Sequence, residues 1–506
     1  MDKFPDHLMV CSATGNQTVN LIPALQFDVK ECIVVSTKWA EANGLTSRLS
    51  EVLKEKSIMA TALPIQEDIE KNLTALVGIL CDVVKDKPHV IWNLSGGQKI
   101  PSLAQYEAYK QRRGSGLHND LMVYAEANPP ELWYWREGEP AKNLFTNIPL
   151  GLETILYLYG SEKVEGECIY PKADSEVASR LDIGSRAYRH FLSSDLFREA
   201  FFRYMVPDEG LVKNEKEIKD LVKKALRNVK PKLQEIRCTK AGYEDIEKNI
   251  ALLFNKIGAV RTIEDIKGPL DRLKIIKRPD QLFDDYWNGI KNLTADEVLK
   301  RMEKQDTALV TQTYTPRQKA DLINAIRDIG GDLSLEDGDH LWRSKVIRFS
   351  AFATNGILFE WMVASRIITL LEDNESLREK VSEVWINVKT KKLDDPKAKN
   401  DAELDLVIVT RFGTLVILEM KTHHISGDTT KSKEATAMKK SGTYGKALIV
   451  GPLLAIEKEG NQKRSYPSYI DSKTAEQKST AEQHGLDYVY LDGMEKMLFR
   501  ELKVKR

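Results

Sequence analysis

Short apolar runs alternate with stretches of helical period from His7 to about Trp135. Leu8-Met9-Val10-Cys11-Ser12, Cys32-Ile33-Val34-Val35-Ser36, Val90-Ile91-Trp92-Asn93-Leu94 and Leu121-Met122-Val123-Tyr124 are apolar enough to predict strands buried on both faces. Helices are predicted between them over Asn43–Lys56, Gln66–Lys85 and Ile100–Arg112. Strand and helix alternating at this spacing imply an α/β fold, a doubly wound and largely parallel sheet whose ligands bind at the carboxyl ends of the strands. From about Pro171 to Trp342 the pattern turns helical and polar, as in Glu215–Arg227, Tyr243–Ile257 and Ala295–Lys304. Apolar structure returns with a helix from Asn355 to about Leu371 and two strands, Leu404–Thr410 and Thr414–Lys421. A Lys-bearing helix over Lys431–Lys440 and a strand at Ala447-Leu448-Ile449-Val450 follow.

The second pair of strands is joined by Arg411-Phe412-Gly413, whose glycine suits a three-residue hairpin loop. A hairpin symmetric about Phe412 sets Asp405 opposite Glu419 and Glu403 opposite Lys421. Alternation then puts all four on one face, while Leu404, Leu406, Leu418 and Met420 share the other, buried face. Facing carboxylates repel unless a cation or a shared proton relieves them. Hard oxygen donors of this kind suit Mg²⁺ or Mn²⁺. Lys421 is placed to orient an attacking water or to stabilise charge developing on a phosphate. The inert alternative is a salt-bridged hairpin edge, and against it stands the rarity of four aligned charges in strands otherwise this apolar.

Three loops at strand ends carry a second kind of chemistry. The first strand runs into Ser12-Ala13-Thr14-Gly15-Asn16-Gln17-Thr18, the second into Ser36-Thr37-Lys38, and the strand at Val90 into Asn93-Leu94-Ser95-Gly96-Gly97-Gln98-Lys99. Small residues, hydroxyls, amides and a Gly-Gly pair at a helix start offer backbone N–H groups and room for a phosphate. No GxGxxG or P-loop spacing is present, which points away from a dinucleotide cofactor or ATP and toward another nucleotide. Each loop alone is also explained by turn preferences; three at one sheet end favour binding.

Composition narrows the class more than the partner. At 506 residues the chain exceeds one ordinary core, and about three domains are expected. Lys plus Arg and Asp plus Glu are both 75, so any basic surface for nucleic acid must be local. One candidate is Lys223, Lys224, Arg227, Lys230, Lys232, Arg237 and Lys240, seven basic residues against the single acid Glu235. It reads either as a solvated helical face or as a phosphate-tracking surface. Cys11, Cys32, Cys81, Cys168 and Cys238 are scattered without CxxC spacing, which predicts reduced thiols and a cytoplasmic protein. No signal-peptide core and no run near the about 18 apolar residues of a membrane span is present, so no membrane association is expected.

The Thr14-Gly15-Asn16-Gln17 loop, Asn93-Leu94-Ser95-Gly96-Gly97-Gln98-Lys99 and the order of elements resemble the CARF domain, the cyclic-oligoadenylate sensor of type III CRISPR systems. Residues 345–506 resemble the PD-(D/E)xK nucleases, specifically those fused to a CARF domain in CRISPR ancillary nucleases of the Can/Card type. The resemblance implies a Rossmann-like sensor over 1–165, a mostly helical middle segment of unknown role over 166–344 and a restriction-endonuclease-like α/β domain over 345–506. It implies Thr14, Asn16, Gln17, Thr37, Ser95, Gly96, Gly97 and Lys99 as ligand contacts, and a homodimer whose strand ends face one ring-shaped ligand. It also implies Glu360, flanked by apolar residues in the helix from Asn355, as a metal ligand and catalytic residue beside Asp405 and Glu419, with Lys421 assisting. One departure is Leu404 where the family's first acid is commonly preceded by Pro. Glu403 is either a further ligand or a partner of Lys421, and His423 and His424 either touch phosphate or have no role. The implied activity is a metal-dependent nuclease cutting DNA or RNA in antiviral defence when a cyclic oligoadenylate binds, cyclic tetra-adenylate first among the rings. The alternatives are a nucleotide-responsive DNA-binding regulator that does not cut, and a ligand-independent restriction nuclease.

Overall fold

The computed structural model describes residues 3–203, 315–332, 348–349 and 355–504, except 97–98, 118, 128–129, 137, 146–147, 395–400, 423–424, 426–434, 456–469 and 471. The expected helices at 215–227, 243–257 and 295–304, the basic stretch 223–240, Cys238, Gly97, Gln98, His423 and His424 lie outside the described residues.

Seven strands form the first sheet: β1 (Leu8–Ser12), β2 (Glu31–Ser36), β3 (Met59–Pro64), β4 (Val90–Asn93), β5 (Leu121–Ala127), β6 (Pro130–Trp135) and β7 (Lys142–Phe145). Their order is β3-β2-β1-β4-β5-β6-β7, with the first five parallel and the last two antiparallel. This is the doubly wound α/β sheet expected, extended at both edges. β3 escapes the sequence pattern because it is an edge strand: Met59 is exposed and the run Met-Ala-Thr-Ala-Leu-Pro has no continuous apolar face. The central strands are buried on both faces, since Met9 and Cys11 enter one core cluster and Leu8 and Val10 the other. The Cys11 and Cys32 thiols sit 3.6 Å apart, free and buried in the first of these.

A buried ion pair closes the amino end of this sheet. Arg112 Nε donates to Asp120 Oδ2 at 2.8 Å, and Asp120 also accepts from Val90 N at 3.0 Å and Trp92 Nε1 at 3.1 Å. Breaking such a pair on one side leaves an uncompensated charge in the core. Asp120→Ala should therefore cost about 3–5 kcal/mol in denaturant unfolding. A loss below about 1 kcal/mol would show that water reaches Arg112 instead.

The second sheet contains β8 (Ser161–Tyr170), β11 (Val381–Lys392), β12 (Ala402–Thr410), β13 (Leu415–Met420), β14 (Lys446–Gly451) and β15 (Asp487–Tyr490), in the order β15-β14-β13-β12-β11-β8. β8, β11, β12 and β13 run antiparallel, and β13, β14 and β15 parallel. Its edge strand β8 is drawn from the chain ahead of the long middle segment, so a boundary at 165 falls inside one of its strands. A minimal antiparallel pair, β9 (Gly331–Asp332) and β10 (Arg348–Phe349), forms a two-stranded sheet of its own.

The chain divides into two compact units, one of residues 1–181, 363–466 and 471–506, the other of 182–362 and 467–470. The first unit holds both large sheets around a shared core, in which Leu21 and Ile22 of the Thr18–Gln26 helix cluster with Val407, Val409, Leu415 and Ile417. Both faces of the β12–β13 hairpin are thereby buried along most of its length, so its polar end is the exception. Gly413 takes φ +78°, and a Cβ there would stand 2.8 Å from Ile22 Cδ1; the hairpin loop needs glycine for its backbone and for this close approach. Ile148 N donates to Arg411 O at 3.0 Å, and Leu152 N to Glu383 Oε2 at 2.8 Å. In the other unit, Phe191, Phe201 and Phe359 pack together, and His190 Nε2 lies 2.8 Å from Asp328 Oδ2. Among the described residues no helix is long and apolar enough to cross a membrane.

Candidate active site and ligand cavity

The hairpin register pairs Leu406 with Leu418, Val407 with Ile417, Ile408 with Val416 and Val409 with Leu415. The pairing ends there, where Met420 N turns to the Asp405 side chain, and Asp405 and Glu419 come together just beyond it at Lys421. The turn is locked where Thr410 N donates to Thr414 O at 3.0 Å and the two threonine hydroxyls meet at 2.9 Å. Leu404, Leu406, Leu418 and Met420 are buried on the opposite face.

At the open end three charges converge. Lys421 Nζ lies 2.6 Å from Glu419 Oε1 and 3.5 Å from Asp405 Oδ2, while Asp405 Oδ2 also accepts from Met420 N at 2.8 Å. The Glu419 side chain is 2 % exposed, that of Asp405 14 % and that of Lys421 34 %. Burial by itself lowers the Lys421 ammonium, but the two carboxylates outweigh it and hold the group above its ordinary value. Two carboxylates this enclosed, backed by the sheet and open on the lysine side, suit a small divalent cation that prefers oxygen donors. Glu403 is exposed at the rim and pairs with Lys389 of β11 in the register, so it stands one step farther out. Glu360 lies on the Asn355–Asp373 helix, half-buried, in the portion belonging to the second unit. Among the described residues no three His, Cys, Asp or Glu gather into a complete metal cluster.

The second site opens at the carboxyl end of the first sheet, where β1 and β4 are adjacent and the strand order reverses. There Ser12, Ala13, Thr14, Gly15, Thr37 and Trp39 line a cavity of about 350 Å³ with Pro101. Its loops are braced from beneath. Asn93, fully buried, donates to Val19 O at 3.0 Å and accepts from Ser95 N at 3.1 Å, and Asn20 Nδ2 donates to Ser12 O at 2.7 Å. Ser95 Oγ accepts from Ala125 N at 2.5 Å. Gly96 fits because a Cβ would stand 2.9 Å from Thr14 Cγ2 and 3.1 Å from Ser12 O.

The expected ligand residues thus separate by position. Thr14 and Thr37 line the cavity, although the Thr37 hydroxyl also caps the Lys38–Ala42 helix by accepting from Ala40 N at 3.2 Å. Gln17 is buried behind the loop with its amide donating to Leu45 O at 2.8 Å, so in this conformation it supports the loop from within. Asn16 is turned toward Tyr159, whose hydroxyl donates to Asn16 Oδ1 at 2.8 Å. Lys99 is exposed at the first position of the Lys99–Gly114 helix. Trp39, 54 % exposed at the cavity wall, is a residue the sequence reading passed over. Its only signal was an indole in the first turn of the helix that follows the Ser36-Thr37-Lys38 strand end, and a single exposed ring of that kind is common on protein surfaces.

No protein-family model and no curated protein matches the sequence. Among solved structures, protein VC1899 from Vibrio cholerae aligns over 98 % of this chain and 97 % of its own, at 14 % identity and a TM-score of 0.55. Can2 from Sulfobacillus thermosulfidooxidans, solved in complex with cyclic tetra-adenylate, aligns over 99 % of this chain and 96 % of its own at 12 % identity and a TM-score of 0.47. A type III CRISPR defence DNA nuclease activated by cyclic oligoadenylate aligns over 88 % of this chain but 45 % of its own, at 12 % identity and a TM-score of 0.39. At such identities a likeness speaks for fold alone, and it is the first of the three that reaches the same fold: this chain shares an α/β fold with VC1899.

Proposed function

We propose that this protein is a metal-dependent nuclease activated by a cyclic oligoadenylate, in the manner of the CARF-domain PD-(D/E)xK nucleases of type III CRISPR defence, with cyclic tetra-adenylate as the activating ring. The observation that carries the reading is the convergence of Asp405, Glu419 and Lys421 at the open end of an otherwise apolar hairpin. Asp405 and Glu419 would hold a Mg²⁺ or Mn²⁺ ion, which when bound supplies Lewis-acid polarisation of a phosphoryl oxygen and a water acidic enough to attack it. The chain's own part is geometric and electrostatic. The sheet fixes both carboxylates without mobile loops, and burial strengthens every charge interaction there. The Lys421 ammonium, the most exposed of the three charged groups, would face the scissile phosphate and offset negative charge developing there. Glu360 is proposed as a further carboxylate on the family resemblance alone, and Glu360→Gln is its separate test.

The sensor reading rests on the cavity at the strand-order reversal, the usual ligand position in such sheets. Lys99 supports it physically. A cation at a helix N-terminus is opposed by the helix dipole, so the helix gains nothing from a lysine there, whereas a phosphate would gain from both the lysine and the free N–H groups. Trp39 offers an aromatic face to a base, a contact tolerant of sequence and suited to a ring of identical adenosines. Two sensor sheets facing one ring would make the active species a homodimer, and the substrate a DNA or RNA strand.

Cleavage of labelled DNA and RNA, with cyclic tri-, tetra- and hexa-adenylate and with Mg²⁺ or Mn²⁺, tests the whole reading. Stimulated cutting by one ring is the expected result. A ring that binds without any cutting would favour the non-cleaving regulator, for which the close Lys421–Glu419 pair would be a permanent salt bridge. Cutting indifferent to every ring would favour a ligand-independent nuclease.

A further inference from the structure

One short turn touches the sensor loop and ties to both strands that carry the metal-site carboxylates. Residues 435–441 are helical and end at Gly442, which takes φ +73° and opens the Gly442–Tyr444 turn. A Cβ on Gly442 would stand 2.8 Å from Tyr159 Cε1 and Oη and 3.0 Å from Asn16 Oδ1, so its backbone lies directly on the Tyr159–Asn16 hydrogen bond. Two residues on, the Tyr444 hydroxyl donates to Glu126 Oε1 at 2.6 Å, at the carboxyl end of β5. The sensor sheet therefore holds the turn at two points.

From the turn, two routes lead to the metal site. Backward, Lys440 is 3 % exposed, and its Nζ donates to Asp401 Oδ2 at 2.6 Å and Ser161 Oγ at 2.7 Å. Asp401 is also held by Thr390, through Thr390 Oγ1 at 2.7 Å and its own N to Thr390 O at 2.9 Å, and the chain passes from it directly into β12 and Asp405. Forward, the turn leads into β14, which pairs in parallel with β13 and places Ile449 against Glu419. A lysine buried this deeply is expensive to desolvate and is kept only where its bonds are well placed. Here they clamp a helix end to the strand bearing a catalytic acid.

We propose that the Gly442–Tyr444 turn is the relay between sensor and nuclease, with Tyr159 and Lys440 as positioning residues. Ligand entering beside Asn16 would alter the Tyr159 bond, shift the turn, and move β12 and β14 so that the separation of Asp405 and Glu419 changes. Burial pushes the Tyr159 phenol up to about 12, so it remains a neutral donor at working pH and the relay runs on hydrogen-bond geometry. The proposal deepens the activated-nuclease reading and rests on it.

The test compares wild type, Tyr159→Phe, Lys440→Met and the double variant for cyclic tetra-adenylate affinity, basal cleavage, and stimulated kcat and KM. Tyr159→Phe removes one hydroxyl and should stay folded, with the melting temperature as the check. The expected result is bound ligand with the stimulation ratio reduced at least about fivefold, the lower range of an allosteric coupling. The loss should appear in kcat with KM for the nucleic acid unchanged, and the double variant should lose little more than either single one, because both act on one path. Full stimulation of folded Tyr159→Phe would overturn the relay while leaving the nuclease reading intact. A wild-type protein that neither binds nor responds to any ring would overturn both.

Discussion

Glu419→Gln should reduce cleavage by on the order of a thousandfold or more, the equivalent of removing several kcal/mol of charge stabilisation at the phosphate. The substitution preserves the shape of a side chain that is 2 % exposed, so the hairpin keeps its packing. The change falls on charge alone. Asp405→Asn should behave similarly, with an added local cost, because Asp405 Oδ2 accepts from Met420 N as well as facing Lys421. In both variants cyclic-oligoadenylate affinity should stay near wild type, since the cavity at the β1–β4 end is built from other residues. Wild-type cutting by either variant would remove the hairpin from the chemistry and leave Lys421 as a structural cation.

Lys99→Glu should produce the mirror image, a nuclease with intact basal chemistry that no longer answers to its ring. The residue is exposed at the start of a helix, so reversing its charge costs the fold nothing; an acid there is even favoured by the dipole. Near a phosphate the same reversal replaces a charge-assisted hydrogen bond by repulsion, and affinity should fall on the order of 100-fold. Titration of ring binding together with stimulated cleavage reads both halves. Unchanged affinity would place the ligand elsewhere and make the ligand-independent nuclease the better reading.

The sequence by itself determined the local chemistry of this protein. Apolar runs of four to eight residues marked β1, β2, β4, β5, β12 and β13, because strands this buried admit few polar residues and make the exceptions, Asp405 and Glu419, conspicuous. The hairpin register followed from a three-residue loop and the two-residue period, and with it the facing of Asp405 and Glu419. Loops rich in Gly, Ser and Asn were visible for the same local reason. The edge strands β3 and β7, and β6 between β5 and β7, were not, since half-exposed strands lack a continuous apolar signature.

Only the tertiary structure decided which polar residues line the cavity and which are consumed by the fold. Gln17 and Asn16 are neighbours in one loop, yet one bonds to Leu45 behind the sheet and the other meets Tyr159 across 143 positions of chain. Trp39 became a wall of the cavity only when the loops from β1 and β2 came side by side. Lys440 and Asp401 are 39 residues apart, and β8 joins a sheet whose next strand begins more than two hundred residues later. Such partnerships depend on burial and on contacts distant in sequence. A period of two or of 3.6 residues cannot encode them, because it records which face of an element is apolar and not what that face meets.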